Sequence, residues 1–148
     1  MPAREEKNLP TITVNAETEQ LDNVISFLDT ELENAGCPMK VQLQLELVTE
    51  EIFVNIASYA YVPDSGKAEI SIDISGNPAV AVLCFKDSGT PYNPLVRPEA
   101  DTSLSLEERG IGGLGILLIK KNSDDVCYSY ENGKNVLTVY KKIREEER

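Results

Sequence analysis

The spacing of apolar residues changes once, near residue 63, and that change restricts the fold more than any single motif does. Before it, Leu21, Val24, Ile25, Leu28 and Leu32 recur at steps of three and four between Glu17 and Ala35, and Val41, Leu45, Val48, Ile52 and Ile56 do so again on the way to Tyr61. Such spacing gives each helix one buried stripe. After it, Ala68, Ile70, Ile72 and Ile74 alternate with polar residues and Ala79 to Phe85 is apolar throughout. These are strand patterns, with the second expected to be the better buried. Gly36 and Pro38 stop the first helix, and Pro63, Asp64, Ser65 and Gly66 stop the second. The turn SGNP makes Lys67–Ile74 and Ala79–Lys86 an antiparallel hairpin.

The remaining elements complete the order. Leu9 to Val14 reads as an edge strand that tolerates Pro10 at its start. Ser88 to Gly110 has no sustained period, the mark of a functional or disordered loop. Gly112 to Asn122 enters a third helix through glycines, and Asp125–Tyr130 with Val136–Ile143 forms a last hairpin around Glu131, Asn132, Gly133 and Lys134. Helices are segregated from strands rather than alternating with them, so the expected class is α+β: a two-layer α/β sandwich, its mostly antiparallel mixed sheet covered by helices on one face. Length allows one ordinary domain, over residues 9–143, between a flexible N-terminus at 1–8 and a solvated charged tail at 144–148.

The chain contains no histidine, which excludes imidazole-based zinc sites and His-based triads within it. A general base must then be Glu, Asp, Lys, Tyr or Cys. The net charge of −11 is uneven: residues 1–66 hold 12 acids against three bases, and residues 67–148 hold 13 acids against 11. The first half is therefore disfavoured as a surface for nucleic acid or anionic membrane, and a polyanion should bind through the second. Cys37, Cys84 and Cys127 are odd in number and without CxxC spacing, which argues against a disulfide framework and fits a cytoplasmic protein. Cys84 and Cys127 fall in strand-like runs and read as small core residues. The N-terminal residues show no signal-peptide pattern, and no stretch approaches membrane-spanning length.

Three stretches carry candidate chemistry. Glu51 and Asn55 stand one helical turn apart, so a carboxylate and an amide are presented together. Asn can offer its carbonyl oxygen to Mg²⁺ and the carboxylate can take a proton from a nucleophile; the alternative is a boundary pair bonded to backbone or water. DSGTP at 87–91 follows the buried strand. Asp87 can accept a hydrogen bond from an exocyclic amine such as that of adenine, and Gly89 permits close approach or a positive φ; DxG is also an ordinary turn. GIGGLGI at 110–116 frees backbone N–H groups to meet a phosphate at a helix start; a flexible hinge is the alternative. The Walker and dinucleotide readings fail on context, since GxxxxGK[ST] is missing and no βαβ unit surrounds the glycines.

In this order the three stretches resemble the boxes of the GHKL (Bergerat) ATPase superfamily, most closely the anti-sigma-factor serine/threonine-protein kinase branch. TEEIFVNIASYAY matches the first box at Glu51 and Asn55; FKDSGTPYNP matches the second at Asp87, Gly89, Pro91, Tyr92 and Pro94; GGLGILLIKK with the closing hairpin matches the third. The likeness spans about Leu9 to Lys142. It implies that Asn55 binds Mg²⁺ on the phosphates of ATP, that Glu51 is the general base, and that Asp87, shaped by Gly89, binds the adenine amine. It further implies that Gly112, Gly113, Leu114 and Gly115 hold the phosphates under a lid at 96–110. Arg109 lies where similar kinases carry an arginine reaching the terminal phosphate, displaced by about two residues, with a solvated arginine as the alternative. The implied activity is phosphorylation of a STAS-type anti-sigma factor antagonist, with sequestration of a sigma factor, by a homodimer built on the first helix and strand. Tyr59, Asn122, Ser123 and Asn135 depart from the family pattern, and they motivate the rival reading of an ATP/ADP-binding regulatory module without phosphoryl transfer.

Overall fold

The structure, a computed structural model, describes residues 9–95 and 115–144. Strand β1 (Thr11–Asn15) leads through a 3₁₀ turn (Thr18–Gln20) into helix α1 (Leu21–Asn34), followed by α2 (Met39–Asn55) and a π-helical turn (Ile56–Ala60). Strands β2 (Lys67–Ser75) and β3 (Val80–Asp87) form a hairpin. Helix α3 runs over 115–121. β4 (Asp125–Glu131) and β5 (Lys134–Lys142) close the chain's order.

Local chemistry sets the boundaries. Gly36 sits at φ +70, and the N–H groups of Cys37 and Gly36 return to the carbonyls of Leu32 and Glu33 at 3.0 Å each. This is the Schellman stop, which needs a left-handed residue and finds glycine there. Asn132 and Gly133 both have positive φ, at 55 and 76, the two-residue turn whose twist suits the β4–β5 hairpin. Asn122 ends α3 by donating its side-chain amide to the Leu118 carbonyl at 2.9 Å, so the departure from an apolar residue there terminates the helix.

The sheet order is β1-β2-β3-β5-β4, and all four pairings are antiparallel. Ala68, Ile70 and Ile72 of β2, Ala81, Leu83 and Phe85 of β3, and Leu137 and Val139 of β5 are buried against Val24, Leu28 and Leu32 of α1 and Leu45, Val48, Ile52 and Phe53 of α2. The expected two-layer α+β sandwich is thus present.

β3 alternates between buried and half-buried positions and has no exposed one, which makes it the better-buried strand of its hairpin, as expected; among the described residues only one face of the sheet carries helices. Three other expectations are corrected. Cys84 and Cys127 lie on the other face, half-buried and exposed respectively, and are not core residues. The second helix does not continue as one α-helix to Tyr61 but widens into the π turn after Asn55. Its buried stripe holds at Leu45, Val48, Ile52 and Ile56 but is wider than expected, taking in Gln42, Thr49 and Phe53, while Val41 is only half-buried.

Two polar features of this layer have measurable consequences. The Thr49 hydroxyl is fully buried and has no hydrogen-bond partner among the described residues. An orphaned buried hydroxyl costs about 1 kcal/mol or more, so Thr49→Val should raise the urea midpoint at unchanged slope. On the flank of α2, the Glu46 carboxyl is pushed up to about 7, first by a hydrogen bond shared with Asp29, then by burial and by the charges of Asp29 and Glu33, against an opposing bond from Gln42. Its folded-state value lies above the ordinary 4.5, so the folded chain holds a proton that the unfolded chain has released. Stability should therefore fall as pH rises from about 4.5 to about 7. Glu46→Gln should flatten that slope and add about 1 kcal/mol at pH 8, after allowance for solvent screening, read by denaturation across pH.

Candidate functional site

The last two turns of α2 carry Glu51 and Asn55, both half-buried. A Cβ placed on Gly115, the first described residue of α3, would stand 3.1 Å from Glu51 Oε2 and 3.8 Å from Asn55 Nδ2. The α3 backbone therefore runs close to both: a Cβ would crowd the carboxylate slightly and meet the amide at ordinary contact distance. The neighbouring acid takes no part: Glu50 is exposed and lines an outer groove with Leu21, Ile25, Leu43 and Leu47, between α1 and α2. Glu51, not Glu50, shares the helix face of Asn55 and lies beside Gly115.

The π turn connects this end of the site to the other. Widening to i→i+5 bonding shifts the carbonyls around the helix axis, and such turns concentrate at functional sites. Here the Ala60 carbonyl accepts the Thr90 N–H at 3.0 Å. Gly89 is pressed against the same carbonyl: a Cβ there would lie 2.1 Å from the Ala60 oxygen and 2.6 Å from its carbon. Of the two reasons for a glycine after Asp87, the structure shows close approach, since Gly89 is not among the residues with positive φ. Tyr61 adds a second tie, its hydroxyl donating to the Lys67 carbonyl and accepting the Ser88 N–H at 2.7 Å. Gly66 leaves room for that ring, because a Cβ would come within 2.2 Å of it.

Asp87 ends β3 and is 7% exposed. Its Oδ1 accepts the Gly89 N–H and the Asn135 side-chain N–H, each at 2.9 Å, while Oδ2 has no hydrogen bond among the described residues. Asn135 stands directly across β3–β5 from Asp87. It also donates to the Thr90 carbonyl at 3.0 Å, and its Oδ1 accepts the Tyr92 N–H at 3.0 Å and the Tyr128 hydroxyl. Burial, followed by the charges of Asp87 and Tyr130, pushes the Tyr128 hydroxyl up, against a backbone hydrogen bond from Tyr92. That keeps it a donor at neutral pH.

The structure thus gathers Glu51, Asn55 and Gly115 at one end, and Asp87 and Gly89 at the other, joined through Ile56–Ala60. Arg109, Gly112, Gly113 and Leu114 lie outside the described residues. Sequence reasoning passed over Asn135, Tyr128 and Tyr61 as parts of this region. For Asn135 the signal lies in the topology: only once β5 is paired to β3 in antiparallel register does Asp87 face a residue near the start of β5.

Chemically, the arrangement offers a half-buried carboxylate, an amide suited to a hard cation, a glycine-bounded helix start and a sequestered acceptor. Among the described residues no three His, Cys, Asp or Glu side chains group to hold a metal by themselves, and no helix is long and apolar enough to cross a membrane. A cation at Asn55 would take its remaining ligands from phosphate and water, as Mg²⁺ commonly does.

The family profile for the histidine kinase-like ATPase domain matches residues 14–141. The chain belongs to that family, and the GHKL-type fold anticipated from the three boxes is the one observed. Among solved structures, the Acinetobacter baumannii histidine kinase AdeS is similar over 94% of this chain and 71% of its own, at 14% identity and a TM-score of 0.46. No curated protein is significantly similar to the chain.

The contact of Gly89 with Ala60 yields a direct test. Gly89→Ala must push the DxG turn away from the helix end, an overpacking that costs about 1–3 kcal/mol. The variant should unfold at correspondingly lower urea concentration, whereas Gly133→Ala, whose Cβ would meet nothing within 4 Å, should lose only the smaller amount due to its positive φ.

Proposed function

We propose that the chain is an ATP- and Mg²⁺-dependent serine/threonine-protein kinase of the anti-sigma regulatory type. It would phosphorylate a STAS-type anti-sigma factor antagonist and hold a sigma factor inactive, working as a cytoplasmic homodimer. The observation that carries the reading is the position of Gly115 against both Glu51 Oε2 and Asn55 Nδ2. A phosphate-binding helix start beside a carboxylate and an amide is what transfer to a hydroxyl requires. Membership of the ATPase-domain family and the buried Asp87 acceptor support the nucleotide.

Within that reading each residue has a defined task. Asp87 would accept the adenine amine, with the Gly89 turn shaping its reach. Asn55 would offer its amide oxygen to Mg²⁺. Mg-ATP, when bound, would supply the phosphoryl group and a cation that offsets its charge. Glu51 takes the proton from the substrate seryl or threonyl hydroxyl as that oxygen becomes the nucleophile. Catalysis of this kind rests chiefly on positioning and charge stabilisation, so few side chains suffice. These 148 residues hold no histidine, so no imidazole within them can be the acceptor.

The test uses purified protein, radiolabelled Mg-ATP and the STAS proteins of the native host. Label should reach a STAS serine or threonine, and Glu51→Gln should lower the rate by about 10²–10⁴-fold with ADP affinity retained. Asn55→Ala should abolish the Mg²⁺-dependent part of ATP binding. Nucleotide binding and partner control that persist with no transfer in the wild type would establish a non-catalytic switch instead. Failure of the wild type to bind ATP or ADP would remove both readings.

A further inference from the structure

Asp87 could meet a ligand in many orientations if it were held by one bond, but it is held by two on the same oxygen. The geometry points to Asn135 as the residue that makes this acceptor selective: we propose that Asn135 positions the Asp87 carboxylate so that the pocket takes 6-amino purines and rejects 6-oxo purines. The inference rests on the adenine-nucleotide reading above and extends it to a residue that departs from the family pattern.

The orientation of the Asn135 amide follows from its partners. Its oxygen receives the Tyr92 N–H at 3.0 Å, and a backbone N–H can only donate, so the oxygen must lie on that side. Its NH₂ then faces the Thr90 carbonyl at 3.0 Å and Asp87 Oδ1 at 2.9 Å, both of them acceptors. Tyr128 adds a second donor to the oxygen. An inverted amide would set donor against donor at Tyr92 and acceptor against acceptor at Thr90 and Asp87; only the Tyr128 hydroxyl could serve either way. The network therefore has one arrangement.

Its consequence falls on Asp87. With the Gly89 N–H and the Asn135 N–H both on Oδ1, the plane of the carboxylate is fixed and Oδ2 is presented as a bare acceptor. Asp87 and Asn135 are each 7% exposed, so water competes weakly for either. A purine with a 6-amino group donates to Oδ2, whereas one with a 6-oxo group sets oxygen against oxygen. Sites that bury such a partner reject the wrong one strongly, because the mismatch leaves polar groups unpaired. Burial and fixed geometry at Asn135, rather than the mere presence of Asp87, thus determine discrimination.

The test compares ADP with inosine diphosphate, which carries oxygen where ADP carries the 6-amino group, by calorimetry on the full chain. The wild type should favour ADP by about a hundredfold. Asn135→Leu keeps about the size of the side chain but cannot donate to Asp87; it should reduce the ADP/IDP ratio by about tenfold or more. Tyr128→Phe, which removes one hydroxyl from a strand at the sheet edge, should reduce the ratio by about threefold and serves as the independent arm if the leucine variant does not fold. A purely structural role would weaken ADP and IDP alike and leave the ratio unchanged. An unchanged ratio in folded variants, with a wild type that prefers ADP, overturns the role of Asn135 and leaves the adenine site standing. A wild type that binds neither nucleotide overturns the adenine reading, and the inference with it.

Discussion

The interlayer contact at Gly89 and Ala60 sets the geometry of everything around it. Helices and sheets ordinarily meet through side chains, with backbones about 10 Å apart. Here the end of the π turn and the turn after β3 meet backbone to backbone, with the Thr90 N–H on the Ala60 carbonyl at 3.0 Å and no space for a methyl group at residue 89. That contact fixes where α2 ends relative to β3. It therefore fixes how far Glu51 and Asn55 stand from Asp87, since all three ride on rigid elements that converge at this point.

A second glycine plays the matching part at the opposite end. Gly115 brings the α3 backbone to Glu51 and Asn55 as Gly89 brings the sheet turn to Ala60. The polar residues between these approaches are held by packing as much as by hydrogen bonds. α2 is buried on one face through Leu45, Val48, Ile52 and Phe53, so rotation of Glu51 or Asn55 about the helix axis would expose core. Glu51 and Asn55 sit at the margin of that stripe, half-buried, where they are oriented and still reachable.

Much of this was legible in the residues. The change from steps of three and four to steps of two located helices and strands to within a few residues, because one-sided burial imposes its period on the sequence. The glycine stop at Gly36 and the turn at Asn132–Gly133 were legible because only special backbone angles suit them. The pair at Glu51 and Asn55 followed from helix geometry alone. Three things were not legible. The π turn leaves no periodic trace in five residues, and IASYA continues an α pattern acceptably. That Cys84 and Cys127 lie on the open face could not be inferred from their strand-like runs, since small apolar residues suit half-buried positions as well as buried ones. The pairing of Asn135 with Asp87 depends on which strand lies beside β3, and that is a property of topology, not of either residue's neighbours.

Strand order has a consequence for how the molecule is made. β5 lies inside the sheet, between β3 and β4, although it is the last strand in the order of synthesis among those described. While Lys134–Lys142 is still within the ribosomal exit channel, β3 has an empty side and Asp87 lacks the amide that immobilises it. Long-range pairings of this kind form late, after the entropy of closing the chain has been met. A nascent chain could thus lay down α1, α2 and the β2–β3 hairpin and still lack the bond that fixes Asp87, so that this corner of the molecule matures only when the sheet's interior is filled.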